Sequence, residues 1–139
     1  MAYQLHPDLV RDTHPLGFAD PGFELCEARL MNDATYPWFV LVPRRDAICD
    51  TIDLDGAAHA QMWEESRSFS RAIMAAFAGE KLNVAALGNM TPQLHLHHVV
   101  RFEADPAWPG PIWGKVPMRP YSDAEYHALI VRLAPHTRP

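Results

Sequence analysis

Three histidines fall within four positions of this chain, in the stretch Gln93-Leu94-His95-Leu96-His97-His98-Val99-Val100-Arg101. On an extended strand successive side chains point to opposite faces, so Gln93, His95 and His97 share one face while Leu94, Leu96 and His98 take the other. Neighbouring members of the set then stand roughly 6–7 Å apart along the backbone. Neutral imidazole is a nucleophile near pH 7, because its ordinary pKa is about 6.5. One ring nitrogen can attack while the other gives its hydrogen to a backbone carbonyl. A second imidazole alongside can donate to a phosphate oxygen or a leaving group. The loop Gly88-Asn89-Met90-Thr91-Pro92 just upstream brings small and polar groups near such a phosphate.

The pair also admits a metal reading, since His-x-His on a strand presents two ligands to zinc and needs a third from elsewhere. His59 and His127 fall in predicted helices, and neither Cys26 nor Cys49 lies near the motif. The expectation is therefore no metal and no cofactor. Plain packing of strand histidines is the remaining alternative.

Several elements must hold this strand in place. Residues up to about Pro21 read as an irregular arm, punctuated by Pro7, Pro15 and Pro21. Glu24–Leu30 and Trp38–Val42 read as two strands of an antiparallel hairpin. They are joined by the turn Asn32-Asp33-Ala34-Thr35, whose Asn and Asp tolerate left-handed backbone. Asp55 is a plausible N-cap for a long helix in which Met62, Ser66, Phe69, Ile73 and Phe77 recur at helical spacing. Glu64, Glu65, Arg67 and Arg71 fall mostly opposite, and Gly79 suits the C-terminal cap. Leu82–Leu87 and Leu94–Phe102 read as two further strands. A final helix starts at Ser122, which has capping-box spacing to Glu125 and an apolar face of Tyr126, Leu129, Ile130 and Leu133. Strands and helices do not alternate as in a parallel fold, so the class is α+β with an antiparallel sheet.

Composition limits the partners. The 139 residues suit one domain, 1–139. Against 17 acidic residues stand 12 Lys and Arg, a formal charge of -5 with no basic block, which argues against long nucleic acid. A small phosphorylated ligand needs only a local cluster of donors. No apolar run is long enough for a membrane span, and the early charges Asp8, Arg11 and Asp12 do not fit a signal peptide. A cytoplasmic setting is expected. The two cysteines fit no disulfide framework and read as buried or half-buried thiols. Proline crowds Asp105–Pro120, which should be ordered but irregular. Its Trp108 and Trp113 suit a packed surface loop that buries two indoles.

Thr91-Pro92-Gln93-Leu94-His95-Leu96-His97-His98-Val99-Val100-Arg101 resembles the motif of the histidine triad (HIT) superfamily, in a bacterial-type variant written Gln-x-His-x-His. Arg101, four residues beyond the third triad position, sets the register: Gln93 stands at the first histidine, His95 at the centre, His97 third. Gly88–Pro92 is similar to the family's phosphate loop, with Asn89 at its amide position. Leu30-Met31-Asn32-Asp33 resembles the turn that approaches the ribose, and Val40–Arg45 the strand ending in Pro and basic residues. The likeness runs from about Phe23 to Arg101, with a C-terminal loop and helix over 102–139. Tyr36-Pro37-Trp38 departs from the family's Pro-Gly-His or Pro-Thr-His, removing an imidazole that supports the triad.

The resemblance implies an antiparallel sheet of about five strands with one long helix and a C-terminal helix, paired as a homodimer. It implies His95 attacking the α-phosphorus of a nucleoside phosphoramidate or dinucleoside polyphosphate to form a nucleotidyl-histidine, with His97 as its catalytic partner. Asn32, Asn89, Gln93 and Arg101 are the implied substrate-binding residues. Alternatives within the fold are a nucleotidyltransferase or phosphorylase, or a nucleotide-binding module without turnover.

Overall fold

A computed structural model describes residues 3–138. It contains a five-stranded antiparallel sheet in the order β1-β2-β3-β5-β4. The strands are β1 (Thr13–Pro15), β2 (Cys26–Met31), β3 (Trp38–Pro43), β4 (Lys81–Ala86) and β5 (Leu96–Arg101). The helices are α1 (Pro7–Asp12), α2 (Gly56–Ala76) and α3 (Asp123–Thr137). The α+β class and the two expected helices are as read from the pattern.

The N-terminal arm is the main correction. It is not irregular: it forms α1 and then the edge strand β1, which pairs Thr13 with Met31 and Pro15 with Arg29. The helix starts because His6 accepts from the Asp8 N–H and Pro7 sits in the first turn, where a missing N–H does no harm. Six residues are too few for helical periodicity to show.

One face of the sheet carries α2 and α3. Asp55 caps α2 by accepting from Ala58 N, and Ala58, Met62, Phe69, Ile73 and Ala76 pack on Phe39, Leu41, Leu96 and Val100. Glu65 does not lie on the solvent side as the spacing suggested. It is 3% exposed and accepts from the backbone N–H of Leu25 and Cys26 and from Gln61 Nε2. It thereby ties the middle of the helix to the start of β2. The left-handed residue ending α2 is Ala78 (φ 50), not Gly79. Gly79 is required for space instead, because a Cβ there would meet Val100 Cγ1 at 2.5 Å and Met74 Sδ at 2.7 Å. Ser122 and Glu125 form the expected capping box at α3.

The opposite face holds Trp38, Val40, Val42 and Val99. Leu9 of α1 and the tail residues Ala107 and Ile112 cover it, with Tyr3, Leu5, Trp113 and Val116 at the margin. The β2–β3 turn is closed by the Asp33 carboxylate accepting from Thr35 N, without left-handed backbone at Asn32 or Asp33. Cys26 is buried and Cys49 is exposed, so the expectation of covered thiols fails at Cys49.

Candidate functional site

The β3–β5 register sets the site. Val40 lies opposite His97 and Trp38 opposite Val99, so Trp38 and His97 are diagonal neighbours on one face, within reach of aromatic side chains. Strand pairing begins at Leu96, one residue after His95 and not at Leu94. Even so, the rings of His95 and His97 lie 4.8 Å apart, 69° between planes. His98 points the other way, into the core. There its Nδ1 donates to the Leu96 carbonyl and its Nε2 accepts from the Ser66 hydroxyl at 2.7 Å.

Each ring's tautomer follows from its partner. His95 Nδ1 lies 2.8 Å from the Gln93 carbonyl, which can only accept. The hydrogen is therefore on Nδ1, and Nε2 keeps its lone pair. Among the described residues nothing hydrogen-bonds that Nε2. His97 is the reverse. The Trp38 indole N–H can only donate, and it donates to His97 Nδ1 at 3.0 Å. The His97 hydrogen is therefore on Nε2. Two adjacent imidazoles thus present one lone pair and one N–H, the complement a nucleophile and a hydrogen-bond donor require. Trp113 leans edge-on against both His97 (5.2 Å) and Trp38 (6.0 Å) and completes the aromatic wall.

Burial pushes His97 down to about 3, with His95 and His98 alongside adding to the effect. Burial also holds His98 down at about 4, against the raising effect of its bond to the Leu96 carbonyl. The unfolded chain binds protons at these two rings from about pH 6.5 downward, whereas the folded chain does not until far lower pH. Their contribution to stability is thus complete above pH 6.5 and lost as pH falls toward the folded values, at about 1.4 kcal/mol per pH unit for each ring. Between pH 7 and 5.5 we expect a loss of about 2–3 kcal/mol from the pair. Urea unfolding at the two pH values measures it, and His98→Gln should roughly halve the slope.

The other expected site residues are placed differently. Both polar atoms of the Gln93 amide engage the N-terminal arm: Oε1 accepts from His6 N at 2.7 Å and Nε2 donates to the Gln4 carbonyl at 2.9 Å. It is the Gln93 backbone carbonyl, not its side chain, that meets His95. Arg101 is 1% exposed and donates to both Asp105 oxygens, to Asn83 Oδ1 and to the Gly110 carbonyl. It folds the tail onto β5, and no face of it is open to a ligand. Asn32 accepts from Tyr121 N, holding the chain ahead of α3. Asn89 is exposed in the Gly88–Pro92 loop. A cleft of about 190 Å³ adjoins that loop, lined by His6, Ala47, Ile48, Cys49, Pro92 and Gln93. Among the described residues no three His, Cys, Asp or Glu side chains gather to hold a metal.

Trp38 and Trp113 were not picked out as partners of His97. The available signal was chemical: a buried indole N–H needs an acceptor, and a strand diagonal is where one could stand.

The sequence model of the HIT domain family matches residues 22–104. A histidine triad protein from Marinobacter aquaeolei VT8 is 46% identical with a TM-score of 0.92, covering 99% of this chain and 97% of that one. A histidine triad protein from Bradyrhizobium japonicum is 38% identical with a TM-score of 0.92, covering 99% of each chain. One from Sinorhizobium meliloti 1021 is 36% identical with a TM-score of 0.90, covering 96% of each. No curated protein matches the chain. With its motif inside the matched segment and its sheet shared along nearly the whole length, the chain belongs to the HIT domain family.

Proposed function

We propose that the protein is a nucleotide hydrolase acting at the α-phosphate of a nucleoside phosphoramidate or dinucleoside polyphosphate, through a covalent nucleotidyl-histidine. The observation that carries this reading is the opposed pair of tautomers: a free Nε2 lone pair on His95 beside an Nε2–H on His97. His95 attacks phosphorus as the bond from phosphorus to the leaving group breaks and its electron pair departs with that group. The His95 Nδ1–H bond to the Gln93 carbonyl strengthens as the ring becomes cationic. His97 donates a hydrogen bond to phosphoryl oxygen, a stabilisation that grows with the charge developing there. Water then attacks phosphorus, the N–P electron pair returns to His95, and the mononucleotide leaves.

Asn89 is the proposed phosphate contact, supported by its place in the exposed loop next to the motif. Asn32, with its side-chain amide N–H groups not engaged among the described residues, is the proposed ribose contact. The net charge of -5 without a basic block favours a small ligand over long nucleic acid. No helix among the described residues is long and apolar enough to cross a membrane, and a cytoplasmic setting remains our reading. The test is nucleotide release from both substrates, with His95→Ala as control. Release that depends on His95 supports the reading, and equal background rates with nucleotide still bound leave only a binding module. Added inorganic phosphate separates hydrolysis from transfer, because a phosphorylase would yield nucleoside diphosphate.

We also propose a homodimer. Strand β4 is an edge of the sheet, paired only with β5 among the described residues, and Val84, Leu87 and Met90 beside it are 37%, 44% and 94% exposed. Such an edge invites pairing with a second copy. Sedimentation at micromolar concentration should give twice the mass of one chain, and a single-chain mass throughout would refute the pairing.

A further inference from the structure

His97 carries one ring hydrogen, on Nε2, because the Trp38 indole N–H occupies the Nδ1 lone pair. Giving up that hydrogen would leave an anionic ring in a buried position, 4% exposed, among His95, Trp38 and Trp113. To act as an acid, His97 would need a second proton on Nδ1, where the indole already points a hydrogen. An imidazole at position 38 could accept and return a proton. An indole cannot, since its nitrogen lone pair belongs to the aromatic system.

The surrounding groups do not replace that function. The Thr91 hydroxyl donates to Asp8 Oδ2, the Gln93 amide is held by the arm, Asn89 and Met90 carry no acid, and the His6 imidazole on the neighbouring cleft has its Nδ1 lone pair taken by the Asp8 N–H. The site can therefore stabilise charge without delivering a proton. This matters for the bond that breaks. When His95 Nε2 forms its bond to phosphorus, the electron pair of the P–X bond goes to X. A phosphate oxygen accepts that pair as a stable anion. An amine nitrogen must gain a proton as the bond breaks.

We propose that Trp38 is a positioning residue that holds His97 as a donor at Nε2 only, so that the site discriminates against leaving groups needing a proton and favours phosphoanhydrides over phosphoramidates. The proposal rests on the covalent-histidine reading above and narrows its substrate class.

Two measurements test it. The first is kcat/KM for a dinucleoside polyphosphate and for a phosphoramidate of the same nucleoside. A general acid is worth on the order of 10²–10⁴-fold, so the anhydride should lead by at least about 10²-fold. Trp38→His, which restores an imidazole, should raise amidate turnover relative to anhydride by about tenfold or more. The second is the 15N spectrum of the His97 ring. Wild type should show hydrogen on Nε2. Benzothienylalanine at position 38 keeps the indole's shape without its N–H, and should shift the ring toward the Nδ1–H form. Equal or faster amidate cleavage by wild type overturns the discrimination while leaving the covalent reading intact. A wild-type ring protonated at Nδ1, or a ring unmoved by benzothienylalanine, overturns the role of Trp38 whatever the activity. If neither substrate turns over above the His95→Ala background, the covalent reading falls and the discrimination with it, and the spectrum still decides the tautomer.

Discussion

His95→Ala is expected to lower kcat on a cleaved nucleotide substrate by at least about 10³-fold, with nucleotide binding kept within about threefold. The size follows from what is removed. The free Nε2 of His95 is the only nucleophilic lone pair of the imidazole pair, since the corresponding Nδ1 of His97 is taken by Trp38. No neighbour can substitute: His98 is on the other face, bonded to Ser66 and the Leu96 carbonyl. The fold should survive, because the side-chain bond of His95 reaches only two residues back along its own chain. His97→Ala removes a donor and not the nucleophile, so its cost in kcat should be smaller, about 10²–10³-fold. Steady-state kinetics on both variants, with unfolding curves as control, separates the two roles. Equal losses would mean the histidines are not divided as described.

Arg101→Ala should destabilise the protein by about 3–5 kcal/mol, the range for removing one partner of a buried ion pair. Arg101 and Asp105 side chains are 2% and 6% exposed and meet at 2.8 Å. Burial would raise the Asp105 carboxyl, but the Arg101 guanidinium, helped by backbone N–H groups of Phe102 and Ala107, holds it below the usual carboxylate range. Removing the guanidinium leaves that carboxylate without its cation. It also strips donors from Asn83 Oδ1 and the Gly110 carbonyl, so β4, β5 and the tail lose their common tie. Arg101→Lys should recover little, because one ammonium cannot reproduce the forked geometry. If Arg101 instead served substrate, either variant would unfold normally and only KM would rise. Urea unfolding together with KM distinguishes these outcomes.

Four of the five strands, both long helices and the alternating faces of the histidines were legible in the sequence, because each rests on a local signal; β1 was not. A strand-length apolar run marks β3, period-3.6 apolar spacing marks α2, and Asp55 and Ser122 mark helix starts. His98 could be assigned to the core face from alternation alone. What escaped depends on distant partners. Glu65 looks like its neighbour Glu64 until β2 brings the Leu25 and Cys26 N–H groups to it. Gln93 and Arg101 read as substrate-binding residues, but the arm engages the Gln93 amide, and Asp105 and Gly110 surround Arg101. The replacement of a supporting histidine by Trp38 reads as a loss. In three dimensions it is an exchange of a titratable partner for one that only donates.

The central claim is a bond between His95 Nε2 and phosphorus. Rapid acid-free quenching during turnover of a dinucleoside polyphosphate, followed by proteolysis and mass spectrometry, tests it directly. We predict a peptide containing His95 heavier by one nucleotidyl group, stable in alkali, discharged by acid and absent from His95→Ala. Turnover that proceeds at full rate with no such adduct, or with the nucleotidyl group on another residue, would contradict the account.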